Sequence, residues 1–363
     1  MFNTVAFIES IEPDFNYQGL EGAMSLVVEN AENYALINDV IDEGAEIAEE
    51  EVYTEGVVGS AVKYVRKAIE WIIKNIKKAI AKLKSLFLSL VHKLKMAYLS
   101  AVKAVGKFAG KNLTSKHGGT VKVKWYKLKE GAFAEMCNKA TTSIENLSSK
   151  IEPTLTQFAG MKADTTATVG EGERDTISAT LYRSEHFKEA KRIKEMVKGM
   201  TVGADKEGGA FFTKETTANA DTESIKSLYE KGLVKNVNAV YKKMMKTNDN
   251  LLKAAGKAES AINKHVKGET NFGDKGKKHI STAKLMVKGL NAGVNICIST
   301  NSVIFSAVYK TAVFALHQVI KATVYAIKRA AVGDDAYKYD KDKAKEKAKE
   351  MYGESAEIED VLA

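Results

Sequence analysis

The longest unbroken pattern of apolar and polar positions runs from Val57 to Lys111. Apolar residues recur at Val62, Val65, Ile69, Ile72, Ile76, Ile80, Leu83, Phe87, Leu90, Leu94, Tyr98, Ala101 and Val105. Every step is three or four residues, which places them all along one face of an α-helix. No proline interrupts the run, and no glycine occurs between Gly59 and Gly106. The pattern predicts one long amphipathic helix or two in series. A second helical stripe, Ile225, Leu228, Leu233, Val237, Val240, Met244, Leu251 and Leu252, spans Asp221 to Lys267. After a break at Gly268 to Lys278, a third helical stretch covers Ile280 to Ala331.

Thr120 to Leu128 changes the period. Apolar and basic residues alternate there, which is the mark of a strand with two unlike faces. Two segments are candidate partners, Thr176 to Arg183 and Ala210 to Lys214. Gly131 to Ser149 reads as a helix, with Pro153 ending it or opening the next piece, because proline disfavours helical backbone before it. Met161 to Asp175 and Thr201 to Gly209 read as loops, Glu185 to Met200 as a basic helix, and Asp334 to Met351 as a surface helix. The fold class expected is mainly α: long amphipathic helices in a bundle, with a small β element drawn from residues 120–128 and 176–214. The divisions expected are an acidic segment (1–55), a cationic helix (56–111), a mixed region (112–215), a helical bundle (216–352) and an acidic tail (353–363).

Charge alters this picture more than composition does. The formal net charge is +9, but residues 1–62 hold fourteen acids and no Lys or Arg. Residues 63–363 then carry 55 bases and 46 − 14 = 32 acids, a net of +23. Between Lys63 and Lys111 there are thirteen bases and one acid, Glu70. Such asymmetry points to an acidic segment joined to a polyanion-binding body. Lys63, Arg66, Lys67, Lys74, Lys77, Lys78, Lys82 and Lys84 on the helix, and Lys122, Lys124 and Lys127 on the strand, are the candidate contacts. Trp125 and Tyr126 lie among the strand lysines, where stacking on bases could supplement charge. A basic edge strand that resists pairing explains the same residues. Equally, the acidic segment could fold back on the cationic helix as an intramolecular partner. An anionic membrane surface would also suit the helix, lying in the interface with Trp71 and Phe87 toward lipid.

Gly289 to Tyr309 holds 21 residues without a formal charge, enough to cross a bilayer. Asn291, Asn295, Ser299, Thr300, Asn301 and Ser302 within it favour a buried bundle helix over a lipid-exposed one. Conditional membrane insertion is the alternative. No catalytic or cofactor motif accompanies these patterns. The six histidines are scattered, and Cys137 and Cys297 stand far apart outside any CxxC spacing. Walker A, GxGxxG and GxSxG patterns do not occur. Lys116–Gly119 and Gly276–His279 read as basic turns. The expectation is a non-enzymatic protein without a cofactor or metal.

The base-free acidic N-terminus, the Glu-bearing junction from Glu49 to Gly56 and the run TNSVIFSAVYKTAVFALHQVIKATVYAIKRAA resemble tailed-phage virion proteins, more narrowly internal head proteins of large myophages. That resemblance implies assembly in the host cytoplasm, packaging inside the virion head, and removal of an acidic propeptide by the head-maturation protease. Such proteases cut after Glu, so it implies cleavage at Glu49, Glu55 or Glu357. Implied partners are packaged DNA, bound nonspecifically, and capsid or other virion proteins. The body is larger than a minimal DNA-condensing peptide, which leaves room for a membrane-active role during ejection.

Overall fold

The computed structural model describes residues 25, 28–29, 31–33, 35–40, 55–109, 120–159, 211–219, 223–267 and 274–332. The fold is mainly α with one small antiparallel sheet. Its elements are α1 (Glu55–Ala109), β1 (Thr120–Leu128), α2 (Ala132–Ala159), β2 (Phe212–Asn219), α3 (Glu223–Ser227), a π-helical turn (Leu228–Val234), α4 (Lys235–Lys267) and α5 (Asp274–Val332). The described residues between 25 and 40 are also helical.

α1 is a single helix of 55 residues, about 80 Å long. Val65, Ile69, Ile72, Ile76, Leu83, Phe87, Leu90, Leu94 and Ala101 are all buried, as their spacing requires. The helix begins at Glu55, so Gly56 and Gly59 are helical. An acid at a helix N-terminus faces the positive end of the macrodipole, which favours that start. α5 likewise begins earlier than expected, at Asp274, taking Gly276 to His279 into its first turns.

α5 is the hub. It packs against α1, α2, α4 and the sheet, while α2 and α1 also pack on α4. A helix covered on several sides must be uncharged nearly all round, and Gly289–Tyr309 meets that demand. By length and composition Met286–Ile327 could cross a membrane, but most of its residues are buried within the protein. Several of its polar residues find partners, although the buried Thr300 hydroxyl has none among the described residues. Asn301 Nδ2 donates to Asn248 Oδ1 at 2.8 Å, Ser302 Oγ to the Ile298 carbonyl at 2.9 Å, and Asn291 Nδ2 to Asn38 Oδ1 at 3.2 Å. The stretch is a core helix.

The sheet pairs β1 with β2, Thr120 opposite Asn219 and Leu128 opposite Phe212. Of the two candidate partners, the one beginning at Ala210 contributes, and the strand extends to Asn219. Thr176–Arg183, the helices expected at 185–200 and 334–351, and the acidic tail lie outside the described residues. Val123 and Lys124 face Thr216 alone, a bulge that shifts the alternation, so Trp125 and Tyr126 are both half-buried. α2 runs through Pro153 to Ala159, where the sequence suggested a boundary. Proline there removes one hydrogen bond, to the Ser149 carbonyl, and the remaining turns carry the helix on.

Candidate polyanion-binding surface

The outer face of α1 follows from its inner one. At 100° per residue, Lys63, Arg66, Lys67, Lys74, Lys77, Lys78, Lys82 and Lys84 occupy a sector of about 160°, opposite the core stripe. All are exposed except Lys82, which is half-buried at the edge of the sector. Lys67 Nζ also lies 4.8 Å from the centre of the half-buried Trp71 ring, a cation–π contact that fixes the ring beneath the charge. Phe87, expected to face lipid, is instead 2% exposed. It sits in the core between Phe305 (centroids 4.8 Å) and Tyr241 (5.4 Å), because its position on the helix falls within the buried stripe.

Lys82 marks where the acidic N-terminal segment lies. Glu29 reaches Lys78 at 3.6 Å and Lys82 at 3.9 Å, and Lys82 Nζ donates to Ser25 Oγ at 3.1 Å. Asn33 Nδ2 donates to Asn75 Oδ1 at 3.4 Å. Ile37, 1% exposed, joins the main core cluster, and Val40 is buried as well. The described acidic segment therefore folds back on the cationic helix, one of the two arrangements its charge suggested. It contacts one edge of the cationic sector and leaves Lys63, Arg66, Lys67, Lys74, Lys77 and Lys84 exposed.

Lys122, Lys124 and Lys127 are exposed on β1, but the ribbon that carries them is packed on α5, not α1. They form a second basic strip. The two aromatic residues among them have structural occupations. The Trp125 indole N–H donates to the Thr217 carbonyl at 2.8 Å, and the ring packs on Ala218, Ala322 and Ala326. Tyr126 lies 6.3 Å from Phe314, and its backbone N–H donates to Gln318 Oε1. The basic-strand explanation suits these contacts better than base stacking does.

Of the candidate cleavage positions, Glu55 is the first residue of α1, and Glu49 and Glu357 lie outside the described residues. Helical backbone is a poor protease substrate compared with an exposed extended segment, which disfavours the bond after Glu55. Among the described residues no group of three His, Cys, Asp or Glu could hold a metal. Cys137 and Cys297 are buried free thiols, and burial pushes the Cys137 thiol up to about 12. An open groove of about 790 Å³ lies between the ribbon, the start of α2, the π-turn and α5, bordered by Lys129, Glu130, Glu215, Glu223 and Lys231. Its charges are mixed. Comparison with family models, curated proteins and solved structures returns no match.

Sequence reasoning missed two features. One is the Glu29 bridge, whose only signal is an acid on a short amphipathic run. The other is a set of exposed apolar residues on α1, Leu88, Met96, Leu99 and Val102, which fall outside the core stripe by their spacing.

Proposed function

We propose that the chain is a non-enzymatic, polyanion-binding protein of a virion head interior that holds packaged DNA nonspecifically through the outer face of α1. The observation that supports this reading is the exposed sector of Lys63, Arg66, Lys67, Lys74, Lys77, Lys78 and Lys84, interrupted by one acid, Glu70. A flexible lysine array without a shaped pocket suits phosphates at helical spacing and carries no base readout. The virion setting rests on the sequence resemblance. In that setting the N-terminal segment is a cover, held at the edge of the sector by Glu29 and anchored by Ile37. Its removal after Glu49 would take eleven acids with it.

The test is retention of duplex DNA of random sequence as salt is raised. With six or more phosphate contacts, affinity falls by a factor on the order of 10³ or more between 50 and 200 mM salt, independent of sequence. Reversing Lys74, Lys77 and Lys84 to Glu should remove most binding at low salt. No binding at 50 mM, or binding that salt does not weaken, sinks the reading.

A further inference from the structure

Among the described residues six large apolar side chains are exposed: Val28, Leu36, Leu88, Met96, Leu99 and Val102. They are not scattered, as isolated surface apolar residues usually are. Four lie on α1 and two on the N-terminal helical segment, and each group forms a stripe.

On α1, Leu88, Met96, Leu99 and Val102 span about 20 Å within an arc of about 120°. This is the same outer arc that carries the cations further upstream, so the exposed face changes character near residue 88. Around the stripe stand Lys84, Lys95 and Lys103, all exposed, and no acid occurs from Lys84 to Ala109. On the N-terminal segment, Val28 and Leu36 share a narrow arc with exposed Glu32 and Asp39. No base occurs anywhere in residues 1–62. One stripe is therefore apolar and basic, the other apolar and acidic. Val28 and Leu36 are eight residues apart, as are Leu88 and Met96, so the apolar contacts can coincide when the two helices lie side by side.

Within one molecule the stripes do not cover each other, since Leu36 is 49% exposed and Leu88 57%. The N-terminal segment is seated by its other side, through Glu29, Asn33 and Ile37. From this we infer that the two stripes meet between molecules: the outer side of the N-terminal segment of one copy docks on the outer face of α1, around residues 84–103, of a second copy. Pairing two α1 stripes would set Lys84, Lys95 and Lys103 against their own counterparts, which is repulsive. The acidic stripe offers the complementary charge. If the exchange is reciprocal it closes as a two-fold dimer; otherwise each copy keeps one unused stripe and the association continues into a ring or an open filament. In this arrangement the N-terminal segment is the assembly element of the chain, and its loss would return the protein to single copies. The inference stands apart from DNA binding and is tested without nucleic acid.

The experiment is sedimentation velocity of the nuclease-treated full chain over a concentration series to about 0.1 mM. The wild type is expected to associate with rising concentration. Lys95→Glu with Lys103→Glu, and separately Glu32→Lys with Asp39→Lys, should each weaken association at least tenfold. The four changes together should restore it, and Leu99→Asp should abolish it. All these positions are exposed, and circular dichroism confirms that each variant is folded. A monomer throughout the series overturns the inference, as does association that the single pairs leave unchanged or that the combined variant fails to recover. Flotation with phosphatidylglycerol vesicles is the second arm. A monomeric wild type whose vesicle binding is lost in Leu99→Asp would make the α1 stripe a lipid surface and overturn the docking of a second copy.

Discussion

Phe87 joins three helices at one point. Its ring meets Phe305 of α5 edge-on (73° between planes) and Tyr241 of α4 at a tilt (52°). Truncation there removes both contacts and leaves a cavity that surrounding helices of this length cannot close. Phe87→Ala is expected to lose about 3–5 kcal/mol, read as a lower urea midpoint with an unchanged slope. An unchanged midpoint would place Phe87 outside the core. Cys137 lies on the inner face of α2, 1% exposed, and desolvation raises its pKa from 9.0 to about 12. The native thiol should resist a disulfide reagent at pH 8 and react only when the chain is unfolded. The unfolded thiol ionises near 9.0 while the folded one keeps its proton, so the unfolded state binds fewer protons as pH rises. The stability linked to Cys137 is therefore complete below pH 9 and is lost between pH 9 and about 12. Cys137→Ala should flatten that part of the pH–stability curve relative to the wild type. Identical slopes would mean that the thiol reaches solvent.

Apolar spacing explains why some elements were legible in the sequence and others were not. The α1 core stripe advances by three or four residues throughout, and the structure buries that face. β1 was legible because Val121, Val123 and Leu128 alternate with lysines, while its partner was ambiguous because Thr213–Thr217 is almost wholly polar. The π-turn did leave a trace. Between Leu228 and Leu233 the stripe steps by five, not by three or four, and one wide turn there is what brings both Ile225 and Leu233 to complete burial. Pro153 marks no boundary because the contacts of α2 with α4 and α5 outweigh the local preference of proline. The exposure of the cationic sector follows from its spacing, but nothing in single-residue spacing reveals that Glu29 returns to Lys78 from 49 residues away. Two glycines test the helical elements. An added Cβ at Gly256 in α4 meets nothing within 4 Å, whereas at Gly232 it comes within 3.2 Å of Leu228 Cδ1. Gly256→Ala should stabilise by about 1 kcal/mol through helix propensity alone. Gly232→Ala should gain clearly less, because Leu228 must move. Thermal melts compare the two, and equal gains would show that the π-turn has room for a side chain.

On the scale of the whole molecule, two forces hold the acidic segment against the body, and they differ in size. The Glu29 pairs with Lys78 and Lys82 are solvent-exposed, and such pairs contribute about 0–1 kcal/mol each. Full burial of an isoleucine such as Ile37 contributes about 1.5–3 kcal/mol, and Val40 adds to it. Anchoring is thus mainly apolar, while any masking of the cationic sector is electrostatic. This separation allows the cover to be tested without a protease. Glu29→Gln should leave the segment docked and raise DNA affinity at low salt by no more than about thirtyfold, the equivalent of both pairs. Ile37→Asp places a carboxylate in the core seat, and the uncompensated buried charge should expel the segment. Backbone amides of residues 28–40 should then exchange with solvent at the rate of an undocked helix, while those of α4 and α5 stay protected. DNA affinity should rise well beyond the Glu29→Gln value, because Glu29 leaves Lys78 and Lys82 and carries Glu32 and Asp39 away from the body with it. Faster exchange at 28–40 with unchanged DNA affinity would show that the segment packs on α1 for stability alone and does not act as a cover for the cationic face.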